Sequence, residues 1–202
     1  MNPASPDTLV GIQRFAVTQK ITMMVNRYEI RALGPNGEEG ALLAFAQQKR
    51  MAFKEEVTFY TSEDRRTPVF SFKARQRLDL GATYDVRDPA GTPIGSFRKD
   101  FKASLLRSTW HLDAAGVSAV GQERNAAIAI LRRVWELIPI VGEVPVPFVF
   151  HFDFTDANGQ LVMSSERRIS LRDRYTITVP DGRLDGRVAA AMAVALDALQ
   201  SR

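Results

Sequence analysis

Two histidines, His111 and His151, stand at matching places in the chain, one beside Trp110 and the other between Phe150 and Phe152. A metal site built on them would need carboxylates to complete it, because the sequence contains no cysteine. Strand histidines with satisfied hydrogen bonds are the plainer reading, and no metal is expected. The absence of cysteine also excludes a disulfide scaffold and a thiol nucleophile. No nucleophile elbow, P-loop or dinucleotide fingerprint is present. Gly91-Thr-Pro-Ile-Gly95 has glycine spacing but lies inside a hairpin pattern, so it does not cradle phosphate. Asp153 and Asp156 flank a turn, and turn chemistry accounts for Asp156. No catalytic residue and no cofactor is expected, and the chain reads as a non-enzyme.

The cations carry more information. Arg98, Lys99, Lys102, Arg107, Arg124, Arg132 and Arg133 fall within residues 95–135 against Asp100, Asp113 and Glu123, while the whole chain has a net charge of only +4. Phe97, Phe101, Leu105 and Leu106 are interleaved with them. Cations beside apolar side chains suit an anionic lipid surface, where each contributes about 1 kcal/mol. Arg98, Lys99, Lys102, Arg107, Arg132 and Arg133 are therefore the candidate contacts for an anionic phospholipid or phosphoinositide. A solvated face beside a packed loop is the competing reading.

These residues need a frame. Tyr28, Ile30 and Ala32 alternate with Arg27, Glu29 and Arg31, the period of a half-buried strand. Gly34-Pro-Asn-Gly37 follows as a turn. Leu42 to Phe45, Met51 to Tyr60, Val69 to Phe72, Tyr84 to Arg87 and Ile94 to Phe97 continue the strand pattern. Asp88-Pro-Ala-Gly91, Asp113-Ala-Ala-Gly116 and Asp156-Ala-Asn-Gly159 each join two such runs. Short strands at even spacing imply a barrel or sandwich. Residues 126–138 break the rhythm: Ile128, Leu131, Trp135 and Ile138 share a helical face, and Pro139 ends it. With the Val- and Pro-rich loop at 139–147, this helix offers a second kind of surface, on which Trp135, Ile138 and Val141 would meet a protein partner.

The last element organises the rest. Val188 to Leu199 is helix-forming and apolar on every side except at Asp197. Its run of about twelve residues reaches roughly 18 Å, short of the roughly 30 Å of a bilayer core. A helix apolar all round and too short to span is wrapped by protein, and the strands before it predict a sheet closed around it. Asp197 is costly in such a place unless paired; backbone of a strand or an arginine is the expected partner. A lumen filled by a helix leaves no room for a small apolar ligand.

Tyr84-Asp-Val-x-Asp-x-x-Gly91 with Ile94, then Arg107-Ser-Thr-Trp110, then Asp185-x-Arg187 with Ala195-Leu196-Asp197-Ala-Leu199, resemble in their order the LURP-one-related and phospholipid-scramblase families of the tubby C-terminal-like superfamily. The resemblance covers roughly residues 15–200. It implies a closed twelve-stranded β-barrel around one central C-terminal helix. Tubby-like domains bind phosphoinositides, scramblases are associated with calcium-dependent lipid movement, and plant LURP-one-related proteins are linked to defence. Here the acidic stretch before the helix is reduced to Asp181 and Asp185, short of the six to eight oxygens calcium takes, and the Cys-rich segment of scramblases is missing. Neither calcium binding nor scrambling is carried over.

The sequence thus predicts a mainly β chain: a flexible lead-in over residues 1–14, one tubby-like barrel domain over 15–202 with a closed, roughly twelve-stranded antiparallel barrel around a buried C-terminal α-helix, and an additional helix near 126–138. The expected role is a non-enzymatic binding module, peripheral on an anionic membrane surface, or alternatively a protein–protein scaffold using residues 126–147. Nucleic acid and a transmembrane span are not expected. A cytoplasmic location follows from the lack of a signal-peptide pattern, with the inner membrane face as the docking surface.

Overall fold

The computed structural model describes residues 6–21, 25–49, 56–75, 83–100, 108–125, 151–168, 174–180 and 182–200. The alternating segments form twelve strands: β1 (Arg14–Ile21), β2 (Val25–Leu33), β3 (Glu39–Lys49), β4 (Glu56–Tyr60), β5 (Pro68–Ala74), β6 (Thr83–Arg87), β7 (Pro93–Asp100), β8 (Thr109–Ala114), β9 (Val117–Glu123), β10 (His151–Thr155), β11 (Leu161–Arg168) and β12 (Arg174–Thr178). Each pairs antiparallel with its neighbour in sequence, and β1 pairs with β12 to close the barrel. The closing register sets Phe15 opposite Ile177 and Val17 opposite Tyr175. Closure removes the exposed sheet edges that would otherwise invite pairing with other chains.

Helix α1 (Gly186–Gln200) fills the barrel. Val188 through Ala195 are all fully buried. Small side chains let the helix sit close to the wall: a Cβ on Gly95 of β7 would lie 2.9 Å from the Val188 side chain. Opposite these alanines an arc of aromatic rings lines the wall. Phe59 stacks on Phe70 at 4.2 Å between centroids, Phe72 meets Phe97 edge-on at 5.4 Å, and Tyr84 stacks on Phe97 at 5.3 Å. The predicted architecture is the one found. The expected helix near 126–138 lies outside the described residues. Among those described, no helix is long and apolar enough to cross a membrane. Glu29, Arg31, Asp85, Arg98 and Asp153 lie on the outward side of their strands.

The helix start is set by Asp185, whose Oδ1 accepts the backbone N–H of Arg187 at 2.8 Å, an N-cap bond of the kind that satisfies an orphan donor. The lead-in packs there. Pro6–Leu9 form a 3-10 turn, Leu9 is fully buried, and its carbonyl oxygen would lie 2.1 Å from a Cβ on Gly186.

The two ends of the barrel differ. The turns of β2–β3, β4–β5, β6–β7, β8–β9 and β10–β11 lie at the end where α1 begins. Asp156 Oδ1 accepts the N–H groups of Asn158 and Gln160, both at 2.9 Å, and Asp88 Oδ1 accepts that of Thr92 at 2.8 Å. The Asp113 repeat differs: Asp113 is still in β8 and accepts instead from the Ser118 hydroxyl across the hairpin at 2.8 Å. At the opposite end, here called the mouth, lie the strand ends Ile21, Lys49, Ala74, Asp100, Glu123 and Arg168, and the C-terminal half of α1.

Candidate functional site

Asp197 is buried near the mouth, where α1 approaches its end. Its Oδ1 accepts from the Tyr175 hydroxyl at 2.6 Å and its Oδ2 from the Tyr28 hydroxyl at 3.1 Å. The Tyr28 oxygen in turn accepts from Gln19 Nε2 at 3.1 Å. A phenol has one proton to give, so Gln19 fixes which way Tyr28 donates. Phenols, rather than the expected strand backbone or arginine, meet the carboxylate in these two bonds. The arrangement ties α1 to β2 and β12 and sets the depth of the helix in the barrel.

Alternation along β7 separates two neighbouring cation candidates. Phe97 faces inward and is buried, so Lys99 is also on the inner side while Arg98 faces out. The Lys99 ammonium lies 5.8 Å from the Trp110 ring centroid, within cation–π range. Arg98 is exposed and opposite His111, and among the described residues it has no ion-pair partner. His111 Nε2 lies 3.2 Å from Asp100 Oδ2. Lys102 and Arg107 belong to the connection between Asp100 and Ser108, and Arg132, Arg133, Trp135, Ile138 and Val141 to the one between Asn125 and His151. These seven lie outside the described residues. The strand ends that flank both connections are at the mouth.

The outer wall of β9–β11 is held by Arg124. Its Nε and Nη2 donate to the two oxygens of Asp153, both at 2.7 Å, and its Nη1 donates to Glu166 at 2.9 Å. Hydrogen bonds donated to Asp153 push the guanidinium pKa above its ordinary value. Arg124, counted at first among the surface cations, is thus a clamp across three strands. A shallow groove beside it is lined by Val120, Gln122, Arg124, Asp153 and Thr155. His151 faces out two strands from His111, opposite Glu166. Among the described residues no group of three or more His, Asp or Glu side chains could hold a metal ion.

The β2–β3 hairpin adds a feature that spacing alone did not reveal. Its register shifts on either side of Arg31, which bends the ribbon. The tip then reaches the outer face of the closing strands: Arg14 Nη1 donates to the Pro35 carbonyl at 3.2 Å, Arg174 Nη2 donates to that of Gly37 at 3.4 Å, and Arg174 Nε lies 3.1 Å from Glu39. Ala16 and Thr176, outward-facing on β1 and β12, are buried. Below the tip, Lys20, Arg27, Arg168 and Arg174 share one outer surface toward the mouth. The alternation of Arg27, Glu29 and Arg31 was the available signal for it, but strands far apart in sequence had to be brought together first.

The family model described as LURP-one-related matches residues 43–197, well over half of the chain. No curated protein matches.

Proposed function

The chain belongs to the LURP-one-related family, and we propose that it is a non-enzymatic binding domain that docks peripherally on an anionic phospholipid surface, phosphoinositide headgroups included. The observation that carries this reading is Arg98, exposed and without an ion-pair partner among the described residues, on the strand that runs to the mouth. Past its end, Lys102 and Arg107 add charge, with Phe101 before them and Leu105-Leu106 between them. Arg132 and Arg133 sit in the other long connection of the same end. Apolar side chains among cations can enter the headgroup region while the cations meet phosphate. A barrel filled by α1 supports the reading from the other side, because it directs binding outward and not into a lumen. The docking surface would be a cytoplasmic membrane face.

The test is substitution. Arg98→Gln combined with Arg107→Gln should weaken sedimentation with phosphatidylserine-containing vesicles by about thirtyfold at low salt, taking about 1 kcal/mol from each cation. Unchanged binding by a folded double variant would remove these residues from the surface.

The connection between β9 and β10, residues 124–150, is the longest between consecutive strands, and it carries the apolar residues Trp135, Ile138 and Val141. It supports a second reading, in which Trp135, Ile138 and Val141 meet a protein partner. Deletion of residues 126–147 with the barrel still folded separates the two: lost vesicle binding favours lipid, and a lost protein partner with vesicle binding retained favours the scaffold.

A further inference from the structure

Two pairs of like charges stand directly opposite each other on the outer face where β11, β12, β1 and β2 adjoin. Arg168 faces Arg174 across β11–β12, and Lys20 faces Arg27 across β1–β2. Thr18 is the next position of the first row, opposite Arg174, and it lies on the same face of β1 as Lys20. Like charges directly opposite in an antiparallel pair destabilise the sheet. One such pair is tolerable, but two in adjacent rows of one surface ask for a counter-charge.

The protein supplies part of it. Glu29 holds Lys20 and Arg31. Glu39 lies 3.1 Å from Arg174 and 3.9 Å from Arg31. Among the described residues, Lys20, Arg27, Arg31, Arg168 and Arg174 thus share two carboxylates. Arg168 gives its Nε to the Thr176 hydroxyl at 3.1 Å. Arg27 has no ion pair among the described residues, and its Nε is buried without a hydrogen-bond partner. Thr18 Oγ1 is buried and unpartnered as well, and Arg174 Nε lies close to Glu39 without hydrogen-bond geometry. Buried polar groups without partners are rare enough to need an explanation.

The missing partner must be anionic, compact and rich in acceptors. A carboxylate brings one charge and two oxygens. A phosphate monoester brings nearly two charges and three strong acceptor oxygens, and guanidinium forks match it. We propose that Lys20, Arg27, Arg168 and Arg174 form a binding site for a phosphate monoester, carried either on a lipid headgroup or on a soluble molecule. The site uses none of the residues assigned to the lipid surface above and does not depend on that assignment.

The full chain is titrated with glycerol 3-phosphate, followed by calorimetry, and separately with phosphatidylcholine vesicles containing either phosphatidic acid, a monoester, or the same mole fraction of phosphatidylglycerol, a diester. Saturable binding of glycerol 3-phosphate assigns a soluble ligand. Preference for phosphatidic acid over phosphatidylglycerol assigns a lipid headgroup. In either case Arg27→Gln and Arg168→Gln should each weaken binding about tenfold, whereas Arg98→Gln should leave glycerol 3-phosphate binding unchanged. The melting temperature decides the role of the pairs: each substitution relieves repulsion, so Tm should hold or rise. The proposal is overturned if neither phosphate source binds, or if Arg27→Gln and Arg168→Gln leave phosphate binding unchanged. Loss of vesicle binding in Arg98→Gln alone, with no binding of glycerol 3-phosphate to the parent, would leave the lipid surface standing and this site refuted.

Discussion

The Tyr175 hydroxyl lies 2.6 Å from Asp197 Oδ1, joining the strand that closes the barrel to the helix that fills it. With Tyr28 on the other oxygen at 3.1 Å, the carboxylate holds two phenol protons in a buried place. Asp197→Ala leaves both phenols without this acceptor and should cost about 3 kcal/mol. Asp197→Asn keeps one acceptor oxygen and should cost about half as much. Urea unfolding of both variants, with Tyr175→Phe to complete a double-mutant cycle, measures the coupling. A coupling energy near zero would mean that the contact does not hold the helix.

Gly186 touches the lead-in. A Cβ there would meet the Leu9 carbonyl at 2.1 Å, and backbone yields less readily than a side-chain tip. Gly186→Ala should destabilise by about 1–3 kcal/mol through overpacking, although alanine is the better helix former. A variant as stable as the parent would show that the 3-10 turn is not fixed against the helix.

Truncation after Leu184 removes α1 and with it the fully buried run from Val188 to Ala195. Each lost large side chain costs about 2–5 kcal/mol, and the sum exceeds the 5–15 kcal/mol of a typical domain. The shortened chain should be insoluble or lack a cooperative melting transition. A cooperative transition in circular dichroism would contradict the packing described here.

Glu29 makes acid stability predictable. Burial pushes its carboxyl pKa up, but hydrogen bonds and charge from Lys20 and Arg31 push it down further, so it ends below the ordinary 4.5. A carboxylate with a depressed folded-state pKa adds stability that is present above the unfolded value and lost as pH falls through the folded one. Glu29→Gln should therefore be less stable than the parent at neutral pH, with the gap closing below about pH 4.5. Urea midpoints across pH 3–7 measure it; a gap independent of pH would place the contribution elsewhere.

Period-two alternation and an all-apolar terminal helix were enough to read a closed barrel around α1, because both are local patterns with one packing solution. Asp197 could be singled out as a buried charge, but not its partners, since Tyr28 is separated from it by 169 positions. Counting cations along the chain placed Arg98 and Lys99 together, whereas the pleat sends them to opposite faces of β7. It also counted Arg124 as a surface charge, though Asp153 and Glu166 claim it. The facing pairs Arg168–Arg174 and Lys20–Arg27 needed register, which depends on closure between β1 and β12. The bend of the β2–β3 hairpin arises from register shifts that no turn motif in the sequence announces.

The central claim is peripheral docking on an anionic surface, and sedimentation of the unmodified protein with vesicles tests it most directly. Phosphatidylcholine vesicles alone should leave the protein in the supernatant. Adding phosphatidylserine should carry it to the pellet at low salt, and raising salt until the Debye length falls to about 3 Å should release it. Equal partitioning on neutral and anionic vesicles, or no binding to either at low salt, would contradict the account.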